Sequence, residues 1–304
     1  MSKRIFIGAS LAIFVVSAFA QDKTPAPSVP AQLIVTVEAR RAGNVPVLNR
    51  EDFLVSQAKE KFEVTDAERL VGDKAGLELF VLIDDASSWT LGSQLNDLRH
   101  FVNAQPATTA VGIGYMHNGS VFTAENLTKD HSLAAKAIRI PTGASSSPYL
   151  SVASLIKQWP ESAVRREIVF ISSGADPLGG DGIMNPYLDA AITDAQRAGV
   201  IVYAIYTPGI GHSAHSYWRA NWGQSYLGEL ADDTGGEAYM LGLGSPVSMA
   251  PYLADITARL ASQYRITLLA KAANKPELQS IKLTTEVPNA EIVAPSKVYV
   301  PAGR

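Results

Sequence analysis

Three stretches concentrate side chains able to do chemistry: Asp84-Asp85-Ala86-Ser87-Ser88, the run from Thr142 to Ser147, and Ser172-Ser173-Gly174-Ala175-Asp176. Asp and Ser accept hydrogen bonds from nearby backbone N–H groups, so the plainest role of such runs is to fix loops and cap helices. On that reading Asp84 and its serines cap a helix beginning near Trp89. His212 and His215 stand at a spacing that can chelate zinc, but a structural site asks for four ligands. The chain has no cysteine, and no nearby carboxylate completes the set, so a polar, exposed loop is expected there. Trp218, Arg219 and Trp222 follow, of the types that dominate interfaces. They are candidate partner-binding residues, unless the Trp rings pack beneath the loop and hold it down.

Nothing points to catalysis. There is no Gly-x-Ser-x-Gly elbow, no Gly-x-x-x-x-Gly-Lys phosphate loop and no Gly-x-Gly-x-x-Gly after the first core strand. The spacing of His100, His117 and His131 sets no base beside a nucleophile. The chain is therefore read as a non-enzyme, with a hydrolase of unrecognised site as the remote alternative.

The elements that must position these loops follow from hydrophobic periodicity. Leu33, Val35 and Val37 alternate with polar residues, which predicts a half-buried strand. Short strand signals follow at Phe53-Leu54-Val55 and Phe62-Glu63-Val64. From Leu77 continuous apolar runs alternate with helical segments, the pattern of a parallel sheet covered on both faces. Strands are expected at Leu79 to Ile83, Ala110 to Met116, Ile168 to Ile171 and Val200 to Tyr206. Asn118-Gly119 predicts a hairpin into an antiparallel edge strand at Val121-Phe122-Thr123. Helices are predicted on Leu91, Leu95, Leu98 and Val102, on Leu150 to Trp159, on Tyr226 to Ala231 and on Met249 to Leu260. Tyr264 to Leu269, Ile281 to Thr285 and Val298 to Val300 return to strand. Because termini of a domain often lie close together, these are expected to join the N-terminal strands in one small β unit. The fold class is thus α/β, doubly wound around a mostly parallel sheet, in which ligands bind beyond the carboxyl ends of the strands. All three oxygen-rich runs fall there.

Lys3 and Arg4, the apolar run Ile5 to Val16 and Ala18-Phe19-Ala20 have the form of a secretory signal. About 15 apolar residues fall short of the roughly 20 that span a bilayer, so cleavage rather than anchoring is expected, with no integral membrane segment afterwards. Loss of those two basic residues takes the formal net charge from −3 to −5. A mildly acidic chain without a Lys/Arg run gives no footprint for nucleic acid. The expected address is secreted or periplasmic, and the expected partner is a protein or other macromolecule.

Asp84, Ser88, the middle loop and Ser173-Gly174, in that order on these strands, resemble a von Willebrand factor A domain, whose metal-ion-dependent adhesion site carries Asp-x-Ser-x-Ser, a middle-loop Thr and an Asp-Gly. The chain more closely resembles exported bacterial proteins of the VWFA-related type, with Glu51-Asp52-Phe53, Thr234-Gly235-Gly236 and Gln263-Tyr264-Arg265 in their characteristic places. With the signal peptide read at 1–20 and Pro25, Pro27 and Pro30 marking an extended linker at 21–31, the resemblance implies an N-terminal β segment at 32–75, an A-like domain at 76–264 and a C-terminal β segment at 265–304. It also implies a metal set of Asp84, Ser88, Ser147 and Ser173; Asp85 and Asp176, at no motif position, lie close enough in sequence to compensate if their loops turn inward. The set departs from the pattern, since Ala86 replaces a hydroxyl and Ser173 a carboxylate. Mg²⁺ wants about six oxygens and usually one or two carboxylates, so a degenerate site is expected, with Mg²⁺ the only cofactor to consider. The functional expectation is adhesion or assembly through the carboxyl-end face, with a scaffold role in the cell envelope as the alternative.

Overall fold

The computed structural model describes residues 28–57, 60–162, 164–180, 182, 184–210, 216–240 and 242–303. The signal segment and the two histidines His212 and His215 lie outside the described residues.

In chain order, β1 (Ser28–Ala39), β2 (Leu54–Gln57), β3 (Glu60–Phe62) and β4 (Val64–Arg69) lead into β5 (Leu77–Asp84). Then come α1 (Leu95–Asn103), β6 (Thr109–His117), β7 (Ser120–Thr128), α2 (His131–Lys136), α3 (Pro148–Gln158) and β8 (Arg165–Ser172). They are followed by α4 (Pro186–Ala198), β9 (Val200–Tyr206), α5 (Tyr217–Thr234), β10 (Ala238–Tyr239) and α6 (Ala250–Leu260). The chain closes with β11 (Gln263–Lys271), β12 (Glu277–Ser280), β13 (Lys282–Thr284), β14 (Ala290–Val293) and β15 (Lys297–Val300).

The central sheet runs β10-β9-β8-β5-β6-β7. Its pairs are parallel except β6 with β7. That exception is the predicted hairpin: Asn118 and Gly119 both have positive φ, 48° and 75°, as a type I′ turn requires. Both faces are covered. Leu77, Leu79, Val81 and Ile83 of β5 enter one core with α1 and α6, while Phe80 and Leu82 enter the other with α3, α4 and α5. Alternation of buried residues onto two cores is why this strand reads as a continuous apolar run. The α/β, doubly wound architecture is as the sequence predicts.

A second body of strands holds its own core, including Val35, Val37, Phe53, Val55, Tyr264, Ile266 and Leu268. Its larger sheet runs β14-β1-β11-β4, and β13-β2-β3 and β12-β15 complete it. Phe62, Glu63 and Val64 do not make one strand, since β3 ends at Phe62 and β4 begins at Val64. The proline-rich linker expected to run to residue 31 is also corrected. Ser28 to Ala31 already belong to β1 and pair with Leu268 to Lys271. Pro30 is tolerated because β14, on the other side of β1, pairs only from Thr36 onwards, leaving this end of β1 an edge where a missing N–H does no harm.

Candidate functional site at the carboxyl ends of the strands

β5 delivers Asp84 and Asp85 to the centre of the sheet's carboxyl end, 1% and 3% exposed. A buried carboxylate needs donors, and Asp84 has three. Its Oδ1 accepts from the Ala86 N–H at 2.8 Å and the Ser146 hydroxyl at 2.5 Å, and its Oδ2 from the Ser172 hydroxyl at 2.7 Å. Burial raises the Asp84 pKa, and the two serines and the Ala86 N–H pull it back.

Asp85 turns to a different partner. Arg139 grips it with both terminal nitrogens, at 2.8 and 3.0 Å, and the Thr142 N–H adds a third bond at 3.1 Å. Such a two-pronged pair is the strong form of ion pairing. Arg139 is itself fixed, its guanidinium 3.6 Å over the Tyr115 ring and its N–H donating to the Tyr115 hydroxyl at 2.6 Å. Burial raises the Asp85 pKa, but Arg139 and Thr142 outweigh it and leave the pKa below the ordinary value.

Asp176 forms a third node. Its Oδ1 accepts from Ser147 at 2.8 Å and from the Leu178 N–H at 3.1 Å, while the Asn185 amide reaches Oδ2 at 3.4 Å. Asn185 is also the cap of α4, accepting from the N–H groups of Tyr187 and Leu188. Tyr149 of α3 donates to the Gly174 carbonyl at 2.9 Å, and Gly174 packs so closely on Gly223 of α5 that an added Cβ would sit 2.2 Å from the Gly223 oxygen.

Four expectations about individual residues change. Ser146, not Ser147, donates to Asp84, and Ser147 serves Asp176. Ser172, not Ser173, is the second hydroxyl on Asp84, while Ser173 Oγ accepts from the Ala175 N–H at 3.4 Å. Ser88 does not face Asp84; its hydroxyl caps the 3₁₀ turn Trp89–Gln94 by accepting from the Thr90 N–H and hydroxyl. Asp85 compensates for nothing, because Arg139 occupies it. Of the expected set, the folded chain buries Asp84 in one hydrogen-bonded cluster and Asp176 with Ser147 in a second, the two joined through the adjacent residues Ser146 and Ser147; together they plug this end of the sheet. Each of the three carboxylates accepts three hydrogen bonds from Ser, Arg, Asn or backbone donors, so a cation here would have to compete with donors already in place. Among the described residues no three His, Cys, Asp or Glu side chains gather as a metal would require.

The rim of this face has the opposite character. Of fifteen exposed large apolar side chains among the described residues, nine stand on loops and first helical turns that follow the carboxyl ends of the strands or border the Asp85 pair. Trp89 follows β5, and Ile140 borders the Asp85 pair. Leu178 and Met184 follow β8, Ile210, Tyr217 and Trp218 follow β9, and Leu243 and Val247 follow β10. Val247 is 97% exposed, Met184 82%, Trp89 74% and Trp218 71%. Cross-links tie these loops together. Gln94 donates to the Pro246 carbonyl at 2.8 Å, Thr90 and Ser245 share a bond at 3.1 Å, and Ile210 N–H donates to the Ala86 carbonyl at 3.1 Å.

The predicted aromatic loop is the first turn of α5, capped by Ser216. Trp218 and Arg219 are exposed there, and Trp218 meets Tyr217 edge-on at 5.7 Å. Trp222 is half-buried, packs on the core beneath the helix and stacks on Tyr226 at 6.3 Å, so it helps hold the helix down. Sequence reasoning missed Arg139, Ser146 and Ser172, and the exposed Trp89, Met184 and Val247.

No protein-family model matches the chain, and no curated protein matches it. Solved structures do. It is similar to proximal thread matrix protein 1 from the mussel byssus, at 13% identity and a TM-score of 0.41, over 61% of this chain and 46% of that one. It is similar to a von Willebrand factor type A protein from Catenulispora acidiphila, at 11% identity and a TM-score of 0.43, over 93% of this chain and 76% of that one. The vWF domain of the type V pili tip protein Mfa5 from Porphyromonas gingivalis is matched at 13% identity and a TM-score of 0.42, over 61% of this chain and 94% of that one. The chain thus spans less than half the mussel protein, and at these identities the likeness is one of fold alone.

Proposed function

We propose that this chain is an exported protein-binding module of the von Willebrand factor A kind that captures a protein partner on the carboxyl-end face of its sheet, without a metal ion. One observation carries the reading: exposed Trp, Met, Ile, Leu and Val side chains stand on the segments that leave the carboxyl ends of the strands, beside buried carboxylates whose oxygens already accept hydrogen bonds. Monomeric proteins rarely gather exposed apolar side chains on one face without a partner to cover them. Recognition by apolar contact replaces the ion-to-carboxylate bond that an intact adhesion site would make.

The test is capture of partners from an envelope extract on immobilised protein. Trp89→Ala and Trp218→Ala should each weaken capture about tenfold or more, as hot-spot aromatics do. Asp84→Asn and addition of EDTA should leave it unchanged. Loss of capture with EDTA, or with Asp84→Asn but neither Trp variant, would sink the reading.

A further inference from the structure

The opposite end of the six-stranded sheet, where the strands begin, holds a cleft of about 470 Å³. This falls in the range of small-molecule sites, roughly 300–1,000 Å³. Its apolar walls are Leu70 and Val71 from the segment joining β4 to β5, Leu77 of β5, and Leu260 at the end of α6, while Asp73 and Gln105 add polar groups to the lining. Arg165, the first residue of β8, lines it as well.

Arg165 is the anomaly. Its side chain is 5% exposed, and its five N–H donors find few acceptors. One terminal nitrogen donates to the Leu260 carbonyl at 2.7 Å and to the Gln263 side-chain oxygen. The other reaches only the Ala75 carbonyl, at 3.4 Å, and Nε has no hydrogen-bond partner. The nearest carboxylate, Glu167, stands 4.0 Å away and is fully buried, with the Gln263 and Tyr203 side chains as its polar neighbours. Burial raises the Glu167 pKa against the pull of Arg165, which weakens its value as a counterion. A buried guanidinium in this state lacks the planar, two-oxygen acceptor that its fork matches best.

We propose that this cleft binds a small amphiphilic carboxylate, its acyl chain lying on Leu70, Leu77 and Leu260 and its carboxylate received by Arg165. The cleft size, the apolar part of its lining and one buried, loosely paired cation among the lining residues point to that chemistry together. The ligand would bridge the segment Leu70 to Gly76, the end of α6 and the start of β8. It would therefore tie the small β unit to the main sheet, far from the face that captures protein.

Isothermal titration calorimetry of the intact chain with octanoate and with octanol tests this. Octanoate should bind with one site per chain, and octanol at least about tenfold more weakly, the share that a charge-assisted hydrogen bond contributes. Arg165→Met should abolish that preference. Ala261→Trp, at the exposed mouth, should block both ligands while leaving Arg165 in place, and so answers the question even if Arg165→Met does not fold. Absence of octanoate binding, equal affinity for octanol, or octanoate binding unaltered by Ala261→Trp would overturn the proposal.

Discussion

At the carboxyl ends of the parallel strands, Asp84, Asp85 and Asp176 lie no more than 3% exposed, and every one of their six carboxylate oxygens accepts a hydrogen bond. At the amino ends, Glu167 is equally buried, but its cation Arg165 stands 4.0 Å away and only the Gln263 and Tyr203 side chains lend it polar support. The same sheet thus holds buried charge in two conditions. A fully satisfied network is rigid and self-sufficient, whereas an unsatisfied one retains a cost that an added partner can relieve. This difference is why the carboxyl end is read as a closed plug that presents its apolar rim, and the amino end as an open receptor.

The largest effect that would sharpen the contrast comes from two glycines, one at each end. Gly174 has φ +69° and its Cβ would meet the Gly223 oxygen at 2.2 Å, while Gly72 has φ +60° and open space around it. Gly174→Ala combines backbone strain with overpacking and should cost about 3–4 kcal/mol. Gly72→Ala carries the strain alone, about 1 kcal/mol. Urea denaturation of both gives the comparison, and equal losses would show that the plug is no more rigid than the cleft's edge.

Arg139→Met comes next. It leaves Asp85 buried with only the Thr142 N–H, and breaking a buried pair costs about 3–5 kcal/mol. Arg139 is 38% exposed, so solvent screening cuts the expected loss to about 2 kcal/mol. The pH dependence follows from the lowered Asp85 pKa. Its contribution is full above the unfolded carboxylate pKa near 3.9 and fades as pH falls through the lower folded value. The variant should therefore lose stability at neutral pH and show a shallower decline in acid. A decline as steep as in the parent would place the acid-sensitive pair elsewhere.

At the amino end the sign reverses. The Glu167 pKa is raised, so its contribution is present below the unfolded value near 4.3 and is lost as pH rises through the folded one. Glu167→Gln removes that titration and should stabilise the chain by about 1 kcal/mol at neutral pH. Melting temperatures across a pH series read it directly, and a destabilised variant would mean that Glu167 is a sound counterion after all.

How much of this was legible in the sequence depends on how local each signal is. The four core strands of the parallel sheet were visible because each is buried on both faces and so unbroken in apolar character. The hairpin at Asn118-Gly119 was visible because two positive φ angles leave few residue choices. Other signals were present but unread. Asn185-Pro186 is a cap followed by proline at the first helical position, enough to have placed α4. The four-residue spacing of Trp222 and Tyr226 on one helix foretold that Trp222 packs inward. The site itself was less accessible. Whether Ser146 or Ser147 meets Asp84 depends on how a loop 62 residues away arrives, and the Arg139 grip on Asp85 spans 54 residues. β10, two residues long, carries too little pattern to be seen at all.

The smallest expected effect probes the plug most finely. Asp84→Asn preserves the shape of the side chain. Its amide oxygen can still accept from Ser146 and the Ala86 N–H, and its amide nitrogen can donate to Ser172 once that hydroxyl turns. What changes is charge. The variant gives up charge-assisted bonds, each worth about 1.5–3 kcal/mol, and gains relief from burying an ion, the burial that raises the Asp84 pKa. These oppose each other, so stability at neutral pH should move by no more than about 1 kcal/mol, and it should rise relative to the parent as pH increases through the folded Asp84 pKa. Asp84→Ala strips the acceptors from three donors and should cost about 3 kcal/mol. If the plug works by hydrogen bonding, the Asn variant stays near the parent and Mg²⁺ shifts the melting temperature of neither. If instead the carboxylate is kept for a cation, Mg²⁺ raises the parent's melting temperature and the Asn variant loses the rise, and the contrast between a closed and an open end of the sheet fails.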